Sequence, residues 1–386
     1  MALRARRRHL THYMQHPVFE DRRLQPIFEK VLASQRLSPG DGAILYRSHD
    51  LLALGYMANL VRERYHGNTT FFNVNRHINP TDVCVASCRL CAFGKKKKDP
   101  RGYTMSLEEV WHRAGEGYTE AVSEFHIVGG LHPELTVDWY CDMLRGLKER
   151  FPQVHLKAFT MVEISYFVQR SKRPVREILQ QLKDAGMDSM PGGGAEIFAE
   201  PVRRIICDHK INGQEWLDIA RVAHEIGLKS NCTMLYGHIE NPEDRADHLA
   251  RLRAVQDDTS GFVTFIPLAF HPDNTALDHI SPTTGFDDLK NIAVARLMLD
   301  NIPHIKAYWV MMTPRIAQIA QRFGADDIDG TVVEEKIYHE AGATTSQSLR
   351  REELLQLIRK AGREPFERDT LYRPVQRTET HFTILV

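Results

Sequence analysis

Phe71-Phe-Asn-Val-Asn-Arg76 and, shortly after it, Cys84-Val-Ala-Ser-Cys88-Arg-Leu-Cys91 are the stretches from which the fold is read. The first is a short strand-like run, rich in residues that suit a pleated surface. Outward from it, similar runs recur at residues 125–130, 154–159, 187–190, 228–234, 262–268, 305–310 and, most weakly, 325–329. Most intervals between them carry helical periodicity, at 106–117, 137–150, 175–186, 214–227, 242–256 and 286–300, and Gly186 and Gly227 punctuate two of the ends. Eight strand-like runs alternating with helix-sized intervals predict a (β/α)8 TIM-type barrel.

The flanks read differently. Residues 1–70 are mainly helical in pattern, with Ser38-Pro39-Gly40-Asp41 in capping-box form ahead of the apolar stretch 43–60. Residues 334–343 and 349–361 look like closing helices, and the last dozen residues like a tail. The expected division is an N-terminal helical extension over 1–70, a barrel over 71–330, and C-terminal helices and tail over 331–386. A chain of 386 residues is long enough for one barrel with such additions.

Fifty basic and fifty acidic side chains cancel, so no global field recommends nucleic acid or a membrane surface, and a small-molecule partner fits better. The basic Arg4 to Arg8 is not followed by an apolar h-region, and no apolar run reaches the roughly 18 residues of a membrane span. A cytoplasmic protein is expected. The run Lys95 to Lys98 is expected to be a solvated loop.

Six cysteines are too few for a disulfide scaffold, and three of them fall at 84, 88 and 91. This Cys-x3-Cys-x2-Cys spacing can occupy three corners of a metal cluster, since soft sulfur ligands suit iron-sulfur centres or zinc. Structural zinc would want a fourth ligand, for which His77 or His126 is available, and an electron-transferring cluster ordinarily takes four cysteines. A three-cysteine site leaves one iron open, and the loop leaves the first strand at the end where barrel enzymes place their chemistry. Cys141, Cys207 and Cys232 lie in helical or strand patterns and read as packing residues.

Further candidates fall at the same end. Val128-Gly129-Gly130 ends the second strand, and Pro191-Gly192-Gly193-Gly194-Ala195-Glu196-Ile197 follows the fourth. Glycines there allow close backbone approach to a ligand, and Glu196 could accept from hydroxyl or amine groups. Glu163 follows the third strand, and Thr233, His238 and Glu240 the fifth; His271 and Asp273 after the sixth are weaker. Tyr338-His339-Glu340-Ala341-Gly342 begins like a zinc-protease motif, but Ala343 stands where the second His is required, which excludes that chemistry. His339 is then a helix-surface histidine or a substrate contact.

The cysteine spacing at the start of a barrel resembles the radical S-adenosylmethionine superfamily. The resemblance implies a [4Fe-4S] cluster on Cys84, Cys88 and Cys91, with S-adenosylmethionine chelating the open iron and yielding a 5'-deoxyadenosyl radical on reductive cleavage. Gly129 and Gly130 match the family's Gly-Gly-Glu-type turn, with Leu131 in place of the acid. Gly129, Gly130, Glu163, Gly192, Gly193, Gly194, Glu196, Thr233 and His238 are expected to bind this cofactor.

From about Arg36 to Pro374 the chain resembles a subgroup with three activities. They are aminofutalosine synthase, dehypoxanthine futalosine cyclase and the tyrosine-joining half of the deazaflavin synthases. The tracts that carry this are Asn73-Val-Asn75, Ile78-Asn79-Pro-Thr81, Cys91-Ala-Phe93, the triple-glycine tract and Thr233-Met-Leu-Tyr-Gly237-His238-Ile-Glu240. Tyr46-Arg-Ser-His-Asp50-Leu-Leu-Ala-Leu-Gly55 and Asp329-Gly-Thr-Val-Val-Glu334-Glu335-Lys-Ile-Tyr-His339-Glu-Ala-Gly342 favour the synthase branch. That branch implies addition of the adenosyl radical to 3-[(1-carboxyvinyl)oxy]benzoate, giving 6-amino-6-deoxyfutalosine in menaquinone biosynthesis. S-adenosylmethionine is consumed as a substrate, and an electron donor such as flavodoxin or ferredoxin is needed. The cyclase is the alternative enzyme, and a noncatalytic iron-sulfur electron carrier the alternative class. No catalytic residue is chosen by the sequence. His77, Arg89, His132 and Arg315 are candidates by position to meet the acceptor's two carboxylates.

Overall fold

The computed structural model describes residues 19–116, 122–378 and 381–385, so Arg4 to Arg8 and the last residue of the expected helix 106–117 lie outside the described residues. Its strands are β1 (Thr69–Asn73), β2 (Asn75–Ile78), β3 (Glu124–Ile127), β4 (His155–Ala158), β5 (Ser189–Met190), β6 (Lys229–Tyr236), β7 (Phe262–Ala269), β8 (His304–Ile305), β9 (Asp327–Gly330), β10 (Glu364–Glu367), β11 (Val375–Arg377) and β12 (Phe382–Ile384). The helices are α1 (Leu24–Leu32), α2 (Pro39–Arg47), α3 (Leu51–His66), α4 (Leu107–Gly115), α5 (Val137–Arg150), α6 (Met161–Ser171), α7 (Val175–Asp184), α8 (Glu200–Ile206), α9 (Gly213–Glu225), α10 (Pro242–Thr259), α11 (Gly285–Met298), α12 (Trp309–Ala320), α13 (Ile337–Glu340) and α14 (Arg351–Lys360).

Strands β2 to β8 form one parallel sheet in sequential order. Such a sheet must be covered on both faces, and β2, β4 and β9 are buried at every position. The eighth barrel position is taken by β9 and the residues after it. β9 pairs parallel with β1, while bridges Lys306 to Asp327 and Arg76 to Val333 tie this segment to β8 on one side and β2 on the other. The (β/α) barrel is therefore the observed architecture, with β10 added along the outer side of β1.

Local signals explain most boundaries. Ser38 and Asp41 make the expected capping box of α2, and Asp50 caps α3 through the Ala53 N–H, which divides the apolar stretch 43–60 into two helices. α2 packs on α10 and α3 on α11, so both lie against barrel helices.

Several expectations are corrected. The strand expected over 305–310 stops at Ile305, because Trp309 opens α12 and its indole N–H reaches Gly330 O at 2.9 Å. The helix expected over 334–343 is a single turn, since Val332 and Glu334 sit at left-handed φ of 49° and 66°. The expected tail contains the antiparallel pair β11–β12. Helices α6 and α8 were not anticipated by periodicity, although Thr160 and Glu163 form a capping box for α6. Among the described residues, no helix is long and apolar enough to cross a membrane.

The C-terminal segment closes the barrel's base. The Arg368 N–H donates to Phe72 O at 2.9 Å, its guanidinium Nε to Asp327 Oδ2 at 2.6 Å, and Tyr372 stacks on His304 at 3.4 Å. Arg368 and Asp327 are both fully buried. Replacing Arg368→Met would leave an unpaired buried carboxylate and is expected to destabilise the fold by about 3–5 kcal/mol in urea titration. A loss below about 1 kcal/mol would show that Asp327 does not depend on this partner.

Candidate active site

The cysteine loop is stitched to the barrel by backbone hydrogen bonds. Gly130 N–H donates to Thr81 O (2.9 Å), Val85 N–H to Leu131 O (3.0 Å) and Cys84 N–H to Lys95 O (2.8 Å). Arg89 bridges outward, its N–H to Ile206 O and its carbonyl accepting from Ala276 N–H. Gly130 is where the two segments touch: a Cβ there would stand 2.3 Å from Val83 O. The glycine read as an approach to ligand is thus also required for an approach of protein to protein.

Lys95 is half-buried, unlike the expected solvated loop, and Lys96, though exposed, also meets protein. Lys95 Nζ donates to Ala92 O at 2.7 Å, and Lys96 Nζ donates to Val85 O, Ala86 O and Ser87 Oγ, so both fold back on the cysteine loop. Lys97 and Lys98 are exposed as expected.

A cavity of about 500 Å³ opens beneath this loop and is lined by Cys84, Cys88 and Cys91. Gly129, Gly130, Glu163, Gly192, Gly193, Gly194, Glu196 and Thr233 line it too, so the structure brings together all but one of the positions expected to bind cofactor. The exception is His238, which is outside the lining, with its ring against Glu240 and Leu235 O. Glu240 is likewise occupied, by Arg245 and the Gly237 N–H. Of the acceptor candidates, His77 and Arg89 line the cavity; His132, whose Nδ1 accepts from Glu134 and Leu135 N–H, and the exposed Arg315 do not. His271 lines it, whereas Asp273 and His339 do not. Both His339 ring nitrogens are within hydrogen-bond distance of the backbone, at Glu335 O and Thr345 O. Cys141, Cys207 and Cys232 are buried outside the lining.

Each acid in the cavity has defined partners. Glu163 Oε2 accepts from Thr160 N–H and Oγ1–H at 2.7 and 2.8 Å, and its Oε1 accepts from Gly129 N–H at 3.1 Å. It therefore caps α6 and positions the Gly129 turn at once. Burial pushes its carboxyl up to about 7, against those hydrogen bonds. Burial also raises Glu196, but Lys210 at 2.5 Å outweighs it and holds the carboxyl below its ordinary value. Burial pushes the Cys88 thiol up to about 11 with Lys210 pulling the other way, so metal ligation is what would favour the thiolate.

The floor of the cavity was not legible as a site. It includes Lys157, Lys306 and Asp329, together with the stacked His77 and His126 rings at 4.5 Å. Lys157 Nζ lies 2.6 Å from Glu124 Oε1, and Lys306 Nζ donates to Asp329 Oδ1 at 3.2 Å. Burial lowers both histidines, which leaves the rings neutral near pH 7. Strand register could have signalled part of this layer, since His77, His126 and Lys157 are direct cross-strand neighbours on β2, β3 and β4.

The three cysteines fit a cluster better than a single ion. Zinc with ligands near 2.3 Å would draw its donor atoms within about 4 Å of each other. Among the described residues, the group of ligand atoms that all lie within 4.8 Å of one another is His66, His304 and Asp326, not the cysteines with His77 or His126. That triad is an ion-pair network: Asp326 Oδ1 is taken by Arg296 and Ile305 N–H, and His66 Nε2 by Pro303 O. Gly94 packs closely beside the thiols, since a Cβ there would lie 3.3 Å from Cys84 Cβ and 3.8 Å from Cys91 Sγ.

A family model for the radical SAM superfamily matches residues 78–252, and one for the CofH/MqnC C-terminal region matches 259–381. The chain belongs to the radical SAM superfamily. It is 49% identical over 360 residues to an aminodeoxyfutalosine synthase of Thermus thermophilus, covering 92% of this chain and 97% of the relative. It is 47% identical to one of Streptomyces coelicolor, covering 91% and 94%. A 5-amino-6-(D-ribitylamino)uracil--L-tyrosine 4-hydroxyphenyl transferase of Methanopyrus kandleri is 42% identical, covering 83% and 88%. The crystal structure of a methylornithine synthase superposes with a TM-score of 0.70 at 16% identity, covering 88% of this chain and 96% of that one. The radical SAM family uses a [4Fe-4S] cluster and S-adenosylmethionine, and the cysteines of this chain stand at the cluster motif. It is an enzyme.

Two outcomes are expected. Gly130→Ala should give a folded protein, judged by circular dichroism, that takes up markedly less iron and labile sulfide; full loading would show that the Val83 contact does not place the loop. For Glu163 the folded carboxyl titrates near 7 against an ordinary 4.5, so the folded state holds its proton longer and stability falls as pH rises through that window. In Glu163→Gln the loss of unfolding free energy between pH 5 and 8 should shrink by up to about 3 kcal/mol in urea titration. An unchanged pH dependence would contradict this assignment.

Proposed function

We propose that this chain catalyses the reaction of an aminodeoxyfutalosine synthase: it joins the 5'-deoxyadenosyl group of S-adenosylmethionine to 3-[(1-carboxyvinyl)oxy]benzoate. The product is 6-amino-6-deoxyfutalosine, formed with loss of one carboxyl carbon, in the futalosine route to menaquinone. The observation that carries this is near end-to-end identity of 49% and 47% to two enzymes of that name, together with a cavity of about 500 Å³ lined by the three cysteines.

Cys84, Cys88 and Cys91 would hold the cluster and leave one iron for the amino and carboxylate groups of S-adenosylmethionine. When bound, the cluster supplies the electron that cleaves the sulfonium to the adenosyl radical. The residues of the chain bind, orient and exclude water. The Gly129–Gly130 turn and Glu163 would face the methionyl part, and the Gly192–Gly194 tract with the Glu196–Lys210 pair the nucleoside. Thr233 Oγ1 donates to Gly192 O at 2.7 Å, which fixes that tract against β6. Val128, Ile266 and Leu268 give the cavity apolar surface, which would suit an aromatic acceptor. A small redox protein of the flavodoxin or ferredoxin type would deliver the electron.

Anaerobic reconstitution, then incubation with a reductant, S-adenosylmethionine and the carboxyvinyl benzoate, should yield the adenosyl adduct by mass spectrometry. Cys88→Ala should lose both cluster and product. Unmodified 5'-deoxyadenosine as the sole nucleoside product would overturn the proposal in favour of hydrogen abstraction.

A further inference from the structure

The floor of the cavity holds two ammonium groups at its sealed end. Lys157 on β4 and Lys306, just after β8, are each only 2% exposed, and both line the cavity. An ammonium offers three N–H donors. Lys157 meets Glu124 and Lys306 meets Asp329, one carboxylate each, which leaves donors of both for a group inside the cavity.

Those carboxylates do not depend on the lysines alone. Glu124 Oε2 also accepts from Thr370 Oγ1–H at 2.7 Å and Asn73 Nδ2–H at 3.3 Å, and Asp329 Oδ1 accepts from Asn75 Nδ2–H at 3.3 Å. Neutral donors thus carry part of the negative charge, and the ammonium groups are not exhausted by their partners. Asp329 is held at a left-handed φ of 67°, a strained conformation for a residue with a side chain. That strain is kept where its carboxylate meets Lys306. Donors preorganised in a water-poor site are what a carboxylate needs in order to leave water, and here their ordering and desolvation are already complete in the folded chain.

We infer that Lys157 and Lys306 are the seat of the acceptor's aryl carboxylate at the base of the cavity. This rests on the reaction proposed above, in which the aryl carboxylate is unchanged. A fixed anchor at the floor would leave the enol-ether double bond toward the cysteine loop, where the adenosyl group arrives. The ammonium pair binds and does no chemistry, so its removal should raise KM with little effect on kcat.

Two measurements on the reconstituted holoenzyme test it. The first needs no variant: 3-methoxybenzoate should bind at least about 10-fold more tightly than its neutral isostere 3-methoxybenzamide by calorimetry. Equal affinity overturns the inference. The second replaces opposite charges together, Lys306→Met with Asp329→Asn, so that no unpaired buried charge is left. The acceptor KM should rise about 10-fold or more with kcat within a few-fold, while the electron paramagnetic resonance response to S-adenosylmethionine is unchanged. An unchanged KM also overturns it. If the native enzyme forms no adenosyl adduct, the proposed reaction fails, and whether the benzoate preference is lost in the Lys306→Met, Asp329→Asn variant still decides the seat separately.

Discussion

A charge buried in a protein must be answered by a counter-charge or by several hydrogen bonds, and the interior of this barrel contains Glu124, Asp327 and Asp329 against Lys157, Lys306 and Arg368. Much of the architecture follows from satisfying that set. Arg368 and Thr370 belong to the C-terminal segment, so the chain has to return to the barrel's base and lay β10 along β1 before Glu124 and Asp327 are paired. The same requirement accounts for the backbone of Asp329, whose left-handed turn points its carboxylate at Lys306 and Asn75. A TIM barrel normally fills this space with branched apolar side chains. Here it is a polar floor under an open cavity.

At the other end, the cysteine loop is positioned by the sheet rather than by its own sequence. The hydrogen bonds from Gly130 to Thr81 and from Val85 to Leu131 clamp it to the residues that follow β3. Lys95 and Lys96 donate to carbonyls of the loop. Ligand placement is thereby coupled to the same strand ends that carry the glycine tracts and Glu163. The proposed cluster and nucleoside sites share one scaffold of largely buried strands.

The alternation of strand-like and helical runs made the barrel legible, and the cysteine spacing made its chemistry legible, because both depend on local pattern. What escaped depends on contacts distant in sequence. Trp309 ends a strand pattern early by reaching Gly330, and the polar floor is assembled from lysines on strands far apart in the chain. Glu163 is legible from its position after a strand, and Thr160-x-x-Glu163 has in the sequence the form of the capping box that the structure shows. His238 read as a cofactor contact from the same kind of positional argument, yet its ring is held by Glu240. Position at a strand end indicates where a side chain starts, and its partners decide where it points.

Three cysteines on the cavity wall, with no fourth cysteine in the lining among the described residues, imply one iron open to S-adenosylmethionine when the cluster is bound. Electron paramagnetic resonance of the reduced, reconstituted enzyme tests this most directly. The g values of the cluster should shift when S-adenosylmethionine is added. An identical spectrum at saturating S-adenosylmethionine, on a cluster shown by iron analysis to be fully loaded, would contradict an open iron site.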